Sequence, residues 1–317
     1  MNAVGDRFNR AQLLHCLALI GAALLFGCQD DQQPGEPIAA PKGEHGTAIM
    51  QRARAGDAEA QNTMGKALAM GEGLPRDRGQ AAVWFRRAAR QGHAQAQYNL
   101  AVLLLEPETG AKKPAEARRW LEKAANSGLA PAQYRLAGLL RSGTGGPEDP
   151  AAAARHYRAA AEQGNVRSQY NLGLMFQLGR GVAPDDEQAE YWYRQAANQN
   201  LPQAQLKLGN FYQAGRGVAQ SDSEAVKWFR RAAMAGYAVA QSNLATMYAA
   251  CRGVEQDPVI AYAWFELARR GGLAQAGEWQ QSLKQKLSRS QRKAGLKRAE
   301  HFQARISAVS KTHKRSY

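Results

Sequence analysis

Apolar positions recur along the chain at the spacing of amphipathic helices, most clearly in residues 164–200. The first helix predicted there carries one stripe of small and apolar residues at positions i, i+4, i+7 and i+8: Ser168, Leu172, Met175 and Phe176. The Gly-x-Gly triplet at 179–181 ends that helix, because glycine readily adopts the left-handed conformation that closes one. A second amphipathic run around Trp192 follows. The stretch predicts helix, turn and helix.

This stretch recurs with a period of 36 residues. The position that closes each unit is a glycine, at Gly56, Gly92, Gly128, Gly164, Gly236 and Gly272. One unit ends with Asn200 instead. A glutamine recurs in the first helix, at Gln61, Gln97, Gln133, Gln169, Gln205 and Gln241. A tryptophan recurs in the second helix, at Trp84, Trp120, Trp192, Trp228 and Trp264. In the third unit, His156 stands in its place. The period predicts an array of stacked units rather than one globular core.

Residues at the same position of successive units form a column, and two further columns have a physical explanation. One position in the first helix is always small, at Gly65, Ala101, Ala137, Gly173, Gly209 and Ala245. We expect these residues to let two helix backbones approach closely. Second helices begin with capping residues: Asp185 with Gln188, and Ser221 with Glu224, resemble capping boxes.

The sequence from Ala204 to Val218 follows the series A-x-A-Q-x-x-L-G-x-x-Y-x-x-G-x-G-V, starting at its second alanine. The sequence from Ala225 to Gly236 follows A-x-x-W-x-x-x-A-A-x-x-G. With these motifs the chain resembles the sel-one-like repeat, a 36-residue relative of the tetratricopeptide repeat, over about residues 45–305. The resemblance implies an all-α fold, a right-handed α-solenoid superhelix of about six helix-turn-helix repeats with terminal capping helices. It also implies a concave surface, lined by first helices, that binds partner proteins. Two turns depart from the motif, at 106–110 and at Cys251.

The register predicts a signal peptide at 1–27, a flexible linker at 28–44 and a repeat solenoid at 45–272. Its N-terminal half-unit is 45–56 and its full units are 57–92, 93–128, 129–164, 165–200, 201–236 and 237–272. Capping helices are predicted at 273–306 and a basic tail at 307–317.

Residues 1–27 have the composition of a targeting segment, with two arginines before an apolar run. The run ends Leu25-Phe26-Gly27-Cys28, which resembles a bacterial lipobox. That resemblance implies acylation of Cys28 and attachment to the lipid bilayer, facing the periplasm. Gln29 after the cysteine favours the outer over the inner membrane. The alternative is an ordinary signal peptide or N-terminal anchor with an incidental cysteine.

The formal charge of +15 is concentrated near the C-terminus. Residues 284–317 carry a net +10, which leaves about +4 for 28–283. A basic terminal segment is typical of a solvated cap helix or of attraction to an anionic surface, such as lipid head groups or an acidic cell-wall polymer. No nucleic-acid partner is expected, because no binding motif or interleaved aromatic residues accompany the charges.

The sequence predicts no enzyme, no cofactor and no metal site. None of its six histidines pairs with another at ligand spacing, and no Cys-x-x-Cys occurs. Adjacent carboxylates lie in the linker or at helix starts, where aspartate caps the helix. Cys16, Cys28 and Cys251 form no disulfide framework, and we expect Cys251 to be an incidental replacement of a turn glycine.

The first-helix face outside the packing stripe is the candidate binding surface. Amide and basic residues form one column beside a row of tyrosines: Tyr98, Asn99, Tyr134, Arg135, Tyr170, Asn171, Lys207 and Asn243. Such a surface suits an extended peptide, through its backbone groups and apolar side chains, or a glycan that stacks on tyrosine. The alternative is that the tyrosines only pack between units.

These features predict a non-catalytic scaffold that binds other proteins of the bacterial cell envelope. Two other functions are compatible with the sequence: a peptidoglycan- or polysaccharide-binding module, and a hydrolase that acts on cell wall or β-lactams. The first would require binding to sacculi without a protein partner, and the second would require turnover.

Overall fold

In a computed structural model, residues 44–106 and 112–315 are described, and this part of the chain is entirely helical and turn, with no strand. The predicted signal segment, Cys28 and turn residues 107–110 lie outside the described residues. The helices are α1 Glu44–Arg54, α2 Ala58–Met70, α3 Arg78–Arg90, α4 Ala94–Leu105, α5 Pro114–Asn126, α6 Ala130–Ser142, α7 Pro150–Glu162, α8 Val166–Leu178, α9 Asp186–Asn198, α10 Pro202–Ala214, α11 Asp222–Met234, α12 Ala238–Ala249, α13 Pro258–Arg270, α14 Ala274–Lys286 and α15 Arg289–Arg315.

The helices from α2 to α13 form six pairs that stack in chain order. Within each pair the first helix packs against the second, and each second helix packs against the first helix of the next pair. Buried apolar side chains run through the stack, and Leu100, Leu136, Leu172, Leu208 and Leu244 are all fully or almost fully buried. The predicted all-α solenoid is confirmed.

The small column in the first helices works differently from the sequence expectation. A Cβ added to Gly173 would lie 2.9 Å from the ring of Tyr193. Gly65 and Gly209 face the rings of Phe85 and Phe229 in the same way. The space that these glycines leave is therefore filled mainly by an aromatic ring of the second helix, and not by a helix backbone.

The Gly-x-Gly turns fix each unit on the one before it. Their first glycine adopts a positive φ, as at Gly215 (+66°), and ends the first helix. Their second glycine lies against the backbone of the first residue of the preceding second helix, as Gly217 does at Asp186. Arg216, between the two glycines, makes two hydrogen bonds to the Asp186 carboxylate at 2.9 and 2.7 Å. Arg252 and Asp222 repeat this pair one unit later, at 3.0 and 2.8 Å.

Cys251 keeps the conformation of the glycine that it replaces. Its φ is +55°, and its side chain is exposed. Asn200 likewise has a φ of +62° at its unit-closing position. The backbone of the turn is thus retained without glycine at these two places, at a cost of about 1 kcal/mol each for a left-handed conformation.

The glutamine column has a structural role that spacing alone did not reveal. Each of these buried side chains donates its Nε2 to a carbonyl in the last turn of the preceding helix, as Gln205 does to Ala197 at 3.1 Å. The other five make the equivalent bond at 3.1 to 3.3 Å. Last-turn carbonyls have no partner within their own helix, so the glutamine supplies one.

A second row of glutamines completes this network in only half of the units. Gln91, Gln163 and Gln199 donate to the Oε1 of Gln61, Gln133 and Gln169 at 2.9 Å. The equivalent positions elsewhere hold Ser127, Ala235 and Gly271. Among the described residues, the buried Oε1 atoms of the corresponding glutamines have no hydrogen-bond partner: Gln97, Gln205 and Gln241.

We therefore expect Ala235→Gln to stabilise the protein. The exposed Ala235 already has the backbone conformation of Gln199, with φ −80° against −87°. The new amide would reach the Oε1 of Gln205 and add about 1 kcal/mol to the free energy of unfolding, the usual value of one hydrogen bond. Urea unfolding measures the change. Ala235→Met is the matched control, since methionine has a similar size but no donor, and equal gains from both variants would contradict the expectation.

The end of the chain departs from the repeat. α14 packs on α13 as a seventh first helix would, but α15 also packs mainly on α13 and makes a few contacts with α11. Phe302 of α15 stacks on Trp264 with ring centroids 4.4 Å apart. The helix continues to Arg315 and so runs through position 306, where the sequence places the boundary between capping helix and basic tail.

Candidate functional site

The polar column that sequence analysis singled out lies where neighbouring first helices meet. Asn99 donates to the Oδ1 of Asn62 on the preceding first helix at 3.0 Å. Asn243 donates to the Oδ1 of Asn210 at 3.3 Å. These two amides therefore contribute to contacts between units, in addition to being partly accessible.

Asn171 and Lys207 occupy the same column in the fourth and fifth units, respectively. Lys207 approaches the Oε1 of Gln177 at 3.4 Å, and burial, followed by the nearby charge of Arg216, lowers its pKa. Asn171 donates to the backbone carbonyl of Arg167, one turn earlier in the same helix, at 2.9 Å.

The three tyrosines of the neighbouring column are half-buried and pack against the apolar core. Tyr134 lies beside Tyr157, with ring centroids 6.0 Å apart, and Tyr170 lies beside Tyr193 at 5.7 Å. Burial raises the pKa of Tyr170, so its hydroxyl stays neutral at physiological pH. The tyrosines thus combine packing between units with partial exposure.

Four of the predicted residues line one open groove of about 720 Å³ across the second to fourth units. They are Tyr98, Tyr134, Arg135 and Asn171. The other four, Asn99, Tyr170, Lys207 and Asn243, do not line it. The structure therefore gathers half of the predicted site and distributes the rest along the array.

The groove includes residues that the sequence interpretation missed. Arg141 and Arg167 add two guanidinium groups to that of Arg135, and Tyr157 lies at the base. Burial raises the pKa of Tyr157, while Arg141 nearby acts in the opposite direction. The signal available in the sequence was the presence of arginines at first-helix positions that hold other residue types in most units.

Gly138 gives the groove its room. An added Cβ there would find only the Tyr157 hydroxyl, at 3.8 Å, in contrast to Gly173. The same column holds Lys66, Val102, Leu174, Asn210 and Thr246 in the other units. Gly138 therefore leaves an opening in the third unit that a side chain occupies in each of the others.

A smaller pocket of about 280 Å³ lies between α7 and the turn at Gly181, lined mainly by alanines with Arg155, Arg158 and Glu162. No group of three or more His, Cys, Asp or Glu side chains in residues 44–106 and 112–315 is arranged to hold a metal ion. His156, in the tryptophan column, is half-buried, and burial lowers its pKa. Within the same residues, no helix has the length and apolar character required to cross a bilayer.

A family model described as the Sel1 repeat matches six consecutive segments that together make up more than half of the chain: 58–93, 94–129, 130–165, 166–201, 202–237 and 238–273. Each begins one residue later than the unit derived from the sequence. The comparison with curated proteins gave no match.

Two solved structures are similar along most of this chain. One is a protective antigen present in uropathogenic Escherichia coli strains, displaying an SLR fold, with 30% identity and a TM-score of 0.73 over 85% of this chain. The match spans 58% of that protein's length. The other is a Sel1 repeat protein from Oxalobacter formigenes, with 27% identity and a TM-score of 0.58 over 70% of this chain and 95% of that one.

Proposed function

Because this chain belongs to the Sel1 repeat family, in which the repeats generally mediate protein–protein interaction, we propose that it is a non-catalytic scaffold that holds partner proteins of the cell envelope. The observation that carries the proposal is the groove formed by the first helices of the second to fourth units. It combines an open cleft, half-buried tyrosines and arginine side chains, which are residue types enriched at protein interfaces.

The repeat array supplies the rigidity that such a surface requires. Adjacent units are joined by buried glutamine bonds and by the paired hydrogen bonds of Arg216 and Arg252 to the preceding unit. A surface that is fixed before binding loses less conformational entropy when a partner docks. The array is therefore suited to holding another chain without large rearrangement.

Membrane attachment is the second part of the proposal. The lipobox-like Leu25-Phe26-Gly27-Cys28 supports acylation at Cys28, with residues 29–43 as a spacer between the lipid and the repeats. More than one acyl chain is needed for stable anchoring, and bacterial lipoproteins carry more than one. The repeats would then face the periplasm, with the outer membrane favoured by Gln29. The basic α15 adds attraction to an anionic surface.

The test places a photoreactive side chain at Asn171 in the full-length chain and irradiates intact cells. We expect covalent adducts with a small number of envelope proteins, identified by mass spectrometry, since Asn171 lines the groove. The same photoreactive group at Arg119, an exposed residue on α5 outside the groove, is the matched control. Equal adducts from both positions, or none from either, would contradict a scaffold that works through this groove.

The same cells test the anchor. With Cys28→Ser, the chain should keep the mass of the unprocessed form and lose lipid labelling, whereas Cys16→Ser should leave both unchanged. Normal processing and labelling of the Cys28→Ser chain would exclude the proposed lipid attachment while leaving the scaffold intact.

A further inference from the structure

We propose that the groove binds an acidic, extended segment of a partner protein, with glutamate or aspartate side chains paired to Arg135 and Arg167. The inference rests on the proposed scaffold function and specifies the chemistry of the segment that the scaffold holds. It depends on the charge, depth and apolar lining of one place in the array.

The charge of the groove has one sign. Arg135, Arg141 and Arg167 line it, and no described aspartate or glutamate does. Arg135 and Arg167 are exposed, and neither has an ion-pair or hydrogen-bonding partner for its guanidinium among the described residues. A planar guanidinium presents donors in the geometry of a carboxylate, so two accessible ones favour acidic side chains.

This charge is local to the third unit and the start of the fourth. The column of Arg135 holds threonine, asparagine or lysine in the other units, and the column of Arg167 holds Glu59, Gln95, Pro131, Gln203 and Val239. Elsewhere in the array, Arg216 and Arg252 also face another unit, but they are already paired with Asp186 and Asp222. The groove is thus a distinct site rather than a property of every repeat.

The depth of the groove fits a peptide backbone. Gly138 removes the side chain that every other unit has at this position, next to two arginines in the same helix. Backbone and helix packing do not require glycine here, because an added Cβ would meet nothing closer than 3.8 Å. The opening is therefore available for a ligand and is not filled by the protein's own packing.

The apolar lining favours a peptide over an anionic glycan. Leu105, Leu139 and Val166 line the groove together with the arginines. A peptide whose side chains alternate between apolar and acidic can therefore place both kinds against matching residues. The tyrosine rings, in contrast, are half-buried against the core, with Tyr134 beside Tyr157, and offer little open face for sugar stacking.

The experiment measures fluorescence anisotropy with the full-length chain in detergent. The probe is a labelled synthetic peptide in which glutamates alternate with leucine and tyrosine, compared with the same peptide carrying glutamine in place of glutamate. We expect the glutamate peptide to bind more tightly and to weaken as salt is raised, because exposed charge pairs are screened. Arg135→Glu should weaken its binding about tenfold, since it places like charges together.

Two variants separate the groove from general charge. Arg119→Glu changes the net charge equally but lies on a second helix outside the groove, and should leave the affinity unchanged. Gly138→Leu, which introduces the residue found at Leu174 one unit later, should fill the groove and lower the affinity at least about tenfold through lost access. A thermal melt within a few degrees of the unaltered chain shows that this variant is folded. Should it melt much lower, Arg167→Glu provides the same comparison without added volume.

The inference is overturned if the glutamine peptide binds as tightly, if Arg119→Glu has the same effect as Arg135→Glu, or if polygalacturonate binds in the groove and the glutamate peptide does not. In those cases an adduct at Asn171 with an envelope protein would still support the scaffold. Absence of both peptide binding and adducts would contradict the scaffold function as well.

Discussion

Replacing Leu172 with aspartate should lower the free energy of unfolding by about 4 kcal/mol, the scale expected for a buried carboxylate without a partner. Leu172 is fully buried in the first helix of the fourth unit. A charged group there lies among the buried apolar side chains that join α8 to its neighbours. Urea unfolding followed by circular dichroism measures the loss.

The control is Leu178→Asp in the same helix. Leu178 is 51% exposed, so its replacement should change stability by less than about 0.5 kcal/mol. Because long repeat arrays need not unfold in one step, limited proteolysis should accompany the unfolding curves and locate the loosened region at the third to fifth units. Equal loss in both variants would show that the burial assigned to the two faces of α8 is wrong.

Replacing Gly217 with alanine should cost about 3 kcal/mol, from left-handed strain and overpacking together. Gly217 has a φ of +62°, and an added Cβ would overlap the Asp186 carbonyl and lie 2.8 Å from the backbone nitrogen of Glu187. Both of these are backbone atoms at the start of α9, which cannot move aside as a flexible side chain can. Relief requires the fourth and fifth units to separate.

Gly164→Ala distinguishes the two contributions. Gly164 has a φ of +85°, but nothing lies within 4 Å of an added Cβ. Its replacement should therefore cost about 1 kcal/mol, from backbone strain alone. Thermal unfolding of both variants measures the difference. Similar melting temperatures would mean that the second glycine of the turn is needed only for its conformation and not for contact between units.

The architecture could be predicted from the sequence because the repeat recurs at a fixed spacing. The tryptophans, closing glycines and capping residues recur at the same position of each unit. Asp185 accepts a hydrogen bond from the backbone N–H of Gln188 at 2.9 Å, as expected for a helix cap. The identity of the buried stripe follows from helical periodicity. These are local rules, so one sequence suffices to apply them.

Contacts between units are harder to predict, because they join residues about 30 positions apart. The hydrogen bonds of Arg216 to Asp186 and of Gln199 to Gln169 depend on how one unit is rotated on the next. The same limit explains the candidate site. Tyr98, Tyr134, Arg135 and Asn171 were identified from their positions in the repeat. That Gly138 and Arg141 share one groove with them is apparent only when three helices are placed together.

The position of α15 was unpredictable for a different reason. Its spacing from α14 suggests a seventh pair, but its small and apolar residues fit the second helix of the sixth unit better. A Cβ added to Gly295 would lie 2.9 Å from the Tyr262 ring, Ala299 is fully buried, and Phe302 stacks on Trp264. The position of α15 therefore depends on how well its side chains pack against a helix distant in sequence.

The way in which the stack ends after α13 also bears on self-assembly. A stack of like units has no natural end, because the face that receives the next unit can equally receive another molecule. Head-to-tail addition of this kind does not close on itself and produces open filaments. Here α14 occupies the face of α13 that would receive a seventh unit, and most of the residues that α14 exposes are polar or charged, with only Ala276 and Gln280 buried. Polymer growth is thereby opposed at the C-terminal end.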